Sequence, residues 1–297
     1  MKKLLISLVF ALLTFSAAMA QPLAMPDSRE YKVLLNADNF ASVKKGCELF
    51  WDLVEKVAND HGFQAKKTVK SSPNREICFI DTPRFDLNKS GFVLRIRAET
   101  VRYPARAASL LADGNAELTL KFRASDLESV LIAPVEPAKA YGDDVSSEVD
   151  VVVKAATPVS VFSRSGKIAS FGPVPQDIKE LLQYYPRLSI VGLNNSHGLK
   201  VVNDLVIVEQ RILHGSIDFG RDKVKTLFSI WYKKGESKPM VAEFSFKIKT
   251  DSYMVRGAQR SQNLIDKFFV DLVRRGKLFI SPHQTKTGLI YQYQTED

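Results

Sequence analysis

Residues 78–97 read CFIDTPRFDLNKSGFVLRIR, and residues 116–123 read AELTLKFR. The first stretch predicts a strand ending near Ile80, a bend at Asp81-Thr82-Pro83, a loop closed by Gly91, and a second strand through Arg97. In that second strand Val93, Arg95, Arg97 and Glu99 share one face, while Phe92, Leu94 and Ile96 share the other. Glu117, Thr119, Lys121 and Arg123 repeat the arrangement opposite Leu118, Leu120 and Phe122. Each strand hides an apolar back and gives its front to long charged side chains. A sheet with one face in water reads this way, and so does a sheet curved around a polar interior.

Outward from this hairpin the same alternation recurs. Residues 30–35 predict a strand with Glu30 and Lys32 beside Leu34, and Tyr31, Val33 and Leu35 behind. A helix is expected over 43–60, capped by Asp38 or Ser42, with Val43, Cys47, Phe50, Leu53, Val54 and Val57 as its apolar stripe. Residues 63–72 read as a basic, irregular strand, 71–74 as a turn, and 100–115 and 126–141 as connections. Further along, 145–154 is a strand carrying Glu148 and Asp150, and 176–185 is helical up to Pro186. Residues 188–193, 200–203 and 205–213 are strand candidates, the last bearing Glu209 and Arg211. A late hairpin joins 224–233 to 240–250 around Gly235. Its second strand sets Glu243, Ser245, Lys247 and Lys249 against Ala242, Phe244, Phe246 and Ile248. A helix capped by Ser261 runs to about Arg275.

The chain has 42 basic and 33 acidic side chains, a net charge of +9. Residues 1–20 carry a basic start, a short apolar run and an Ala18-Met19-Ala20 cleavage site, the pattern of a secretory signal peptide cut after Ala20. The expected organisation is therefore a signal peptide over 1–20 and one domain over 21–297, with insertions and a C-terminal helix, in the periplasm or otherwise exported. No later stretch is apolar enough to span a membrane. The modest positive charge favours an anionic partner, a small phosphate-rich anion, and no stripe of basic and aromatic residues points to nucleic acid. Cys47 and Cys78 are the only cysteines. An exported location permits a disulfide between them, and two buried thiols are the competing reading. No Walker loop, Rossmann fingerprint, nucleophile elbow or His-Glu-x-x-His occurs.

Taken together, the polar faces suggest antiparallel strands curved around a charged interior, with helices covering an apolar exterior. Charges enclosed in protein are costly unless paired or solvated. A polyphosphate-like ligand would engage Arg and Lys, and a divalent cation would relieve clustered carboxylates.

On these motifs the chain resembles the CYTH superfamily, the triphosphate tunnel metalloenzymes. Asp81-Thr82-Pro83, Leu94-Arg95-Ile96-Arg97 and Leu118-Thr119-Leu120-Lys121 match the family's middle motifs, and Glu148-Val149-Asp150 resembles its paired acidic strand. The resemblance implies a mainly β fold with flanking helices (α+β), an eight-stranded antiparallel β tunnel. It also implies Mg²⁺ or Mn²⁺ and hydrolysis of inorganic or organic triphosphates, or cyclisation of ATP. It assigns substrate binding to Lys32, Arg95, Arg97, Lys121, Arg211 and Lys247, and metal binding to Glu30, Glu148, Asp150 and Glu243. Glu117 and Lys121 are the expected catalytic residues, with Glu117 organising the basic residues or a metal-bound water. The family's N-terminal Glu-x-Glu-x-Lys is incomplete, since Ser28 stands where its first carboxylate would be. The expected function is metal-dependent triphosphate hydrolysis outside the cytoplasm. A non-catalytic binding module for polyphosphate or another phosphorylated anion, and an envelope scaffold, are the alternatives.

Overall fold

The structure, a computed structural model, describes residues 25–99, 116–155, 157–249, 258–281 and 285–293. The leader over 1–20 and the connection over 100–115 lie outside the described residues. In chain order the elements are β1 (Ser28–Leu35), α1 (Val43–Asp60), β2 (Gln64–Asp81), α2 (Asp86–Lys89), β3 (Phe92–Glu99), β4 (Glu117–Ala124) and α3 (Leu127–Leu131). They continue with β5 (Val145–Lys154), β6 (Thr157–Ile168), α4 (Ile178–Tyr184), β7 (Lys200–Asp218), β8 (Lys223–Lys233), β9 (Pro239–Lys249), α5 (Ala258–Arg275) and α6 (Lys286–Gln292).

The strands form one mixed sheet in the order β1-β5-β6-β4-β3-β2-β7-β8-β9, and β9 pairs back onto β1 to close it. The expected eight-stranded, wholly antiparallel tunnel is corrected on three counts. There are nine strands. Ser28–Tyr31 of β1 run parallel to Glu148–Val151 of β5, a pairing that needs a long crossover and that alternation cannot reveal. The interior is also not polar throughout. On β1, β2, β3, β7, β8 and β9 the inward positions turn apolar toward one end, where Leu34, Phe79, Val93, Ile207, Trp231 and Val241 pack with Leu289 and Ile290 of α6. The charged space is a cavity set against this apolar plug.

Several local expectations also change. The residues read as a turn at 71–74 continue β2, with a register shift between Ser72 and Arg75. Pro73, which has no N–H to donate, sits in that irregularity. Residues 200–203 and 205–213 are one strand, with the break absorbed by Asn203 and Asp204 at φ 53° and 50°. Residues 188–193 do not form a strand, because Pro186 opens a 3-10 turn over Pro186–Val191. The stretch between 154 and 176, for which the sequence predicts no element, contains β6, an integral strand between β5 and β4.

The apolar back of the sheet is covered from outside. α1 and α5 lie over Tyr31, Phe228, Phe244 and Phe246, with Tyr31 stacked on Phe246 at 4.7 Å. Cys47 on α1 and Cys78 on β2 are free, buried thiols in separate apolar clusters. Burial, reinforced by Glu48 and Glu76 respectively, pushes each up to about 12. On the other flank, Leu94, Ile96, Leu118 and Leu120 pack under Ile178, Leu181 and Tyr185. The Tyr185 hydroxyl bonds the carbonyls of Leu118 and Gly166, each at 3.1 Å. Gly166 allows this flank to close, since a Cβ there would lie 1.7 Å from the Val135 carbonyl oxygen. Gly166→Ala is therefore expected to destabilise the chain by about 3 kcal/mol, the scale of an overpacked core that must move backbone. Urea unfolding would show it, and an unchanged midpoint would refute the packing account.

The Asp81-Thr82-Pro83 bend serves the fold. The fully buried Asp81 carboxylate accepts the N–H groups of Thr82 (2.7 Å), Leu87 (3.0 Å) and Asn88 (3.0 Å) and the Tyr291 hydroxyl (3.0 Å). It satisfies the start of α2 and moors α6 to the end of β2.

Candidate functional site

The cavity holds about 550 Å³ and is lined by inward residues of all nine strands together with Thr285, Lys286 and Thr287. Eleven basic and six acidic side chains line it, a net charge of five positive. All the residues singled out from the sequence reach this space: Glu30, Lys32, Arg95, Arg97, Glu117, Lys121, Glu148, Asp150, Arg211, Glu243 and Lys247. They do not converge on one point, however. They divide into three groups.

The first group is acidic and built by strand register. Parallel pairing sets Glu30 of β1 beside Asp150 of β5, and Ser28 beside Glu148. One carboxylate oxygen from each of Glu30, Glu148 and Asp150 lies within 4.8 Å of the others. Three lysines lace the trio. Lys32 contacts Asp150 at 2.8 Å and Glu30 at 2.9 Å, and Lys121 reaches Asp150 at 3.3 Å and Glu148 at 3.4 Å. Lys247 pairs with Glu148 and lies 3.7 Å from Glu30. Arg123 adds a contact to Asp150 at 3.7 Å. The Ser28 hydroxyl is 3.5 Å from Glu148, so the position of the missing carboxylate is filled by a neutral partner.

These contacts decide the charge states. Burial alone would push Asp150 up, but Lys121, Lys32 and Arg123 outweigh it and hold the carboxyl well below its ordinary range. Glu148 likewise resists burial through Lys121, Lys247 and Lys32 and falls to about 2. Burial pulls Lys32 down, yet Asp150 and Glu30 raise it overall. For Lys121 burial prevails and the ammonium is lowered, with Arg123 and Lys32 as like-charged neighbours. Three hard oxygen donors at this spacing fit a divalent cation, which takes carboxylates together with waters.

The second group is cationic. Arg95, Arg97 and Arg211 face the cavity with Arg75. Glu117 lies among them, 3.6 Å from Arg95 and 3.7 Å from Arg97, with Thr119 bonded to it at 3.0 Å. It therefore organises the arginines and stands outside the acidic trio. Arg211 is held at the rim by Glu99 at 3.4 Å and the Pro73 carbonyl at 3.3 Å. The Nε atoms of Arg95, Arg97 and Arg211 are all buried without a hydrogen-bond partner among the described residues. Burial, then the neighbouring Arg97, lower the Arg95 guanidinium to about 9. Buried donors with nothing to donate to are rare in finished protein interiors, and here they belong to side chains that line the cavity.

The third group closes the inner end. Glu243, expected among the metal ligands, instead pairs with Lys286 at 2.8 Å. Lys286 also lies 3.7 Å from Glu209, 3.1 Å from the Ser229 hydroxyl and 4.7 Å from the Trp231 ring centre. Glu209 accepts from Ser229 at 2.6 Å and Trp231 at 3.0 Å. This network ties α6 into the cavity wall, and Glu243 belongs to it.

Arg75, Lys286 and, with the whole of β6, Lys167 are charged cavity residues that escaped the sequence reading. Arg75 was hidden by the apparent turn at 71–74, although the alternation Arg75, Ile77, Phe79 against Glu76, Cys78, Ile80 was a usable signal. Lys286 had none, since a helix of seven residues leaves too short a pattern. The site is thus a pocket with an acidic, lysine-laced side and an arginine side, enclosed by a mixed nine-stranded sheet.

No protein-family model matches the chain, and no curated protein matches it. Among solved structures, a candidate adenylyl cyclase from Hippeastrum, described with a dominant triphosphatase activity, matches at 13% identity with a TM-score of 0.41, covering 88% of this chain and 93% of its own. A candidate adenylate cyclase from Bacillus halodurans matches at 12% identity and a TM-score of 0.38, over 90% of this chain and 98% of its own. Another from Vibrio parahaemolyticus matches at 12% and 0.33, over 88% and 97%. At these identities and TM-scores the likenesses are distant and assign no chemistry to this chain.

Proposed function

We propose that this protein hydrolyses inorganic triphosphate or an organic triphosphate with the help of Mg²⁺ or Mn²⁺. The observation that carries the reading is one cavity lined by both a carboxylate trio and arginines whose buried Nε atoms lack partners among the described residues. The motif resemblance over Asp81–Pro83, Leu94–Arg97 and Leu118–Lys121 adds to it.

In this reading Arg95, Arg97 and Arg211 bind phosphoryl oxygens, and Glu117 keeps two of those guanidinium groups aligned. Glu30, Glu148 and Asp150 would hold the cation, which supplies charge neutralisation at the phosphoryl group and orientation of water. Lys32, Lys121 and Lys247 then exchange carboxylate partners for phosphoryl oxygens and balance charge on the group being cleaved. The reading includes an exported location, resting on the leader-like residues 1–20.

One observation favours a second reading. Each carboxylate of the trio is already balanced by lysine, so an anion could be held without a cation or turnover. Phosphate release from triphosphate, with Mg²⁺ or Mn²⁺ and an EDTA control, separates the two. Metal-dependent release that falls at least about a hundredfold in a Glu148→Gln, Asp150→Asn double variant is expected for the enzyme. No release from folded protein would sink it, and metal-independent binding in the same sample would establish the binding module.

A further inference from the structure

We infer that Arg75 sets the length of the anion this cavity takes, and that the site prefers linear polyphosphates of four or more phosphoryl groups to triphosphate. The inference deepens the phosphate-anion reading and rests on it.

Arg75 is placed differently from the other arginines. On β2 the inward row runs Arg75, Ile77, Phe79, and Phe79 lies in the apolar plug beside α6. Arg75 is therefore at the end of the row farthest from the plug, toward the rim where Arg211 is held. Its register neighbours are two carboxylates, Glu99 on β3 and Glu209 on β7. Neither is available to it. Glu99 pairs with Arg211, while Glu209 is turned to Ser229, Trp231 and Lys286. The Arg75 side chain makes no hydrogen bond or ion pair among the described residues, its main chain being paired within the sheet. Burial and the like charges of Arg97 and Arg211 together outweigh the attraction of Glu209 and Glu117, so the guanidinium is lowered from its ordinary range.

A half-buried guanidinium beside two others, with carboxylates near it but none paired to it, costs the ligand-free molecule stability and becomes favourable when an anion arrives. Charge matching gives the ligand's length. The lining carries five positive charges in excess, and a divalent cation on the trio would add two more. Fully ionised triphosphate carries five negative charges, so two positive charges remain when the cation is bound, and among the described residues Arg75 is a guanidinium that no carboxylate pairs with. Each further phosphoryl group adds one negative charge along the same chain, and Arg75 stands on the rim side to receive it.

The test is calorimetric binding of inorganic triphosphate and tetrapolyphosphate, at fixed ionic strength with Mg²⁺ and again with EDTA, to the full chain and to Arg75→Gln and Arg75→Lys, the length preference being read with the cation present. The wild type is expected to bind tetrapolyphosphate about tenfold more tightly than triphosphate, the scale of one added charge-assisted contact. Arg75→Gln should bring that ratio close to one, and Arg75→Lys should keep most of it. Arg75→Gln should also melt no lower than the wild type without ligand, since it removes repulsion; a purely structural residue would melt lower. Triphosphate binding with no length preference, or a preference unchanged in Arg75→Gln, overturns this inference and leaves the proposed function standing. Failure of the wild type to bind either anion overturns both.

Discussion

Asp150→Asn is expected to lower stability at neutral pH by about 3 kcal/mol and to abolish any cation-dependent thermal shift. Asp150 is 2% exposed and is the shared partner of Lys32, Lys121 and Arg123. Breaking a buried ion pair by neutralising one side typically costs about 3–5 kcal/mol, because the opposite charge stays behind. The lower end applies here, since Lys32 keeps Glu30 and Lys121 keeps Glu148. The effect must depend on pH in a defined direction. Asp150 sits well below its ordinary range when folded and near 3.9 when unfolded, so its contribution is fully present above about pH 4 and is lost as the pH falls further. Glu148, at about 2 when folded, behaves alike below its unfolded value near 4.3. Urea unfolding at pH 7 and near pH 3 would test this. The gap between wild type and variant should shrink on acidification; a gap that stays constant would mean Asp150 does not act through its charge.

The second large effect has opposite signs for stability and binding. Arg95→Met should raise the ligand-free melting temperature by about 3 °C, as removal of roughly 1 kcal/mol of repulsion would in a chain of this size. It should also weaken triphosphate binding by about ten- to a hundredfold. A guanidinium remains protonated at neutral pH even in unfavourable surroundings, so the burden on Arg95 is carried as lost stability. The side chain is only partly covered by Glu117, and its Nε has no partner among the described residues. Sites built for a ligand commonly sacrifice stability in this way. Conversely, adding triphosphate to the wild type should raise its melting temperature in proportion to the logarithm of ligand over Kd. If Arg95→Met melted lower and bound triphosphate as the wild type does, Arg95 would be a structural residue and the anion site would lie elsewhere.

The legible part of this molecule is the part governed by period-two alternation. Glu30 and Lys32, Arg95 and Arg97, Glu117 and Lys121, Glu148 and Asp150, and Glu243 and Lys247 could all be placed on polar faces because a strand alternates sides strictly. The α1 stripe was legible for the same kind of reason, its bounds being 43–60 in sequence and structure alike, although Trp51 was missed. Where alternation is interrupted, the reading failed. Pro73 disguised a strand irregularity as a turn, and with it Arg75. Asn203 and Asp204 disguised one strand as two. The region before α4 concealed β6.

The amino-acid sequence alone determined which side chains share a face and that those faces are charged, since both follow from local backbone geometry. It also carried the Asp81 bend, though not the buried network that makes the aspartate necessary. Only the tertiary structure decided which faces meet. Parallel pairing of β1 with β5 brings Glu30 to Asp150, Lys286 on α6 draws Glu243 out of the acidic group, and the apolar plug ends the polar space on that side. These are contacts between residues far apart in the chain, and strand order, pairing direction and register leave no periodic trace in either partner.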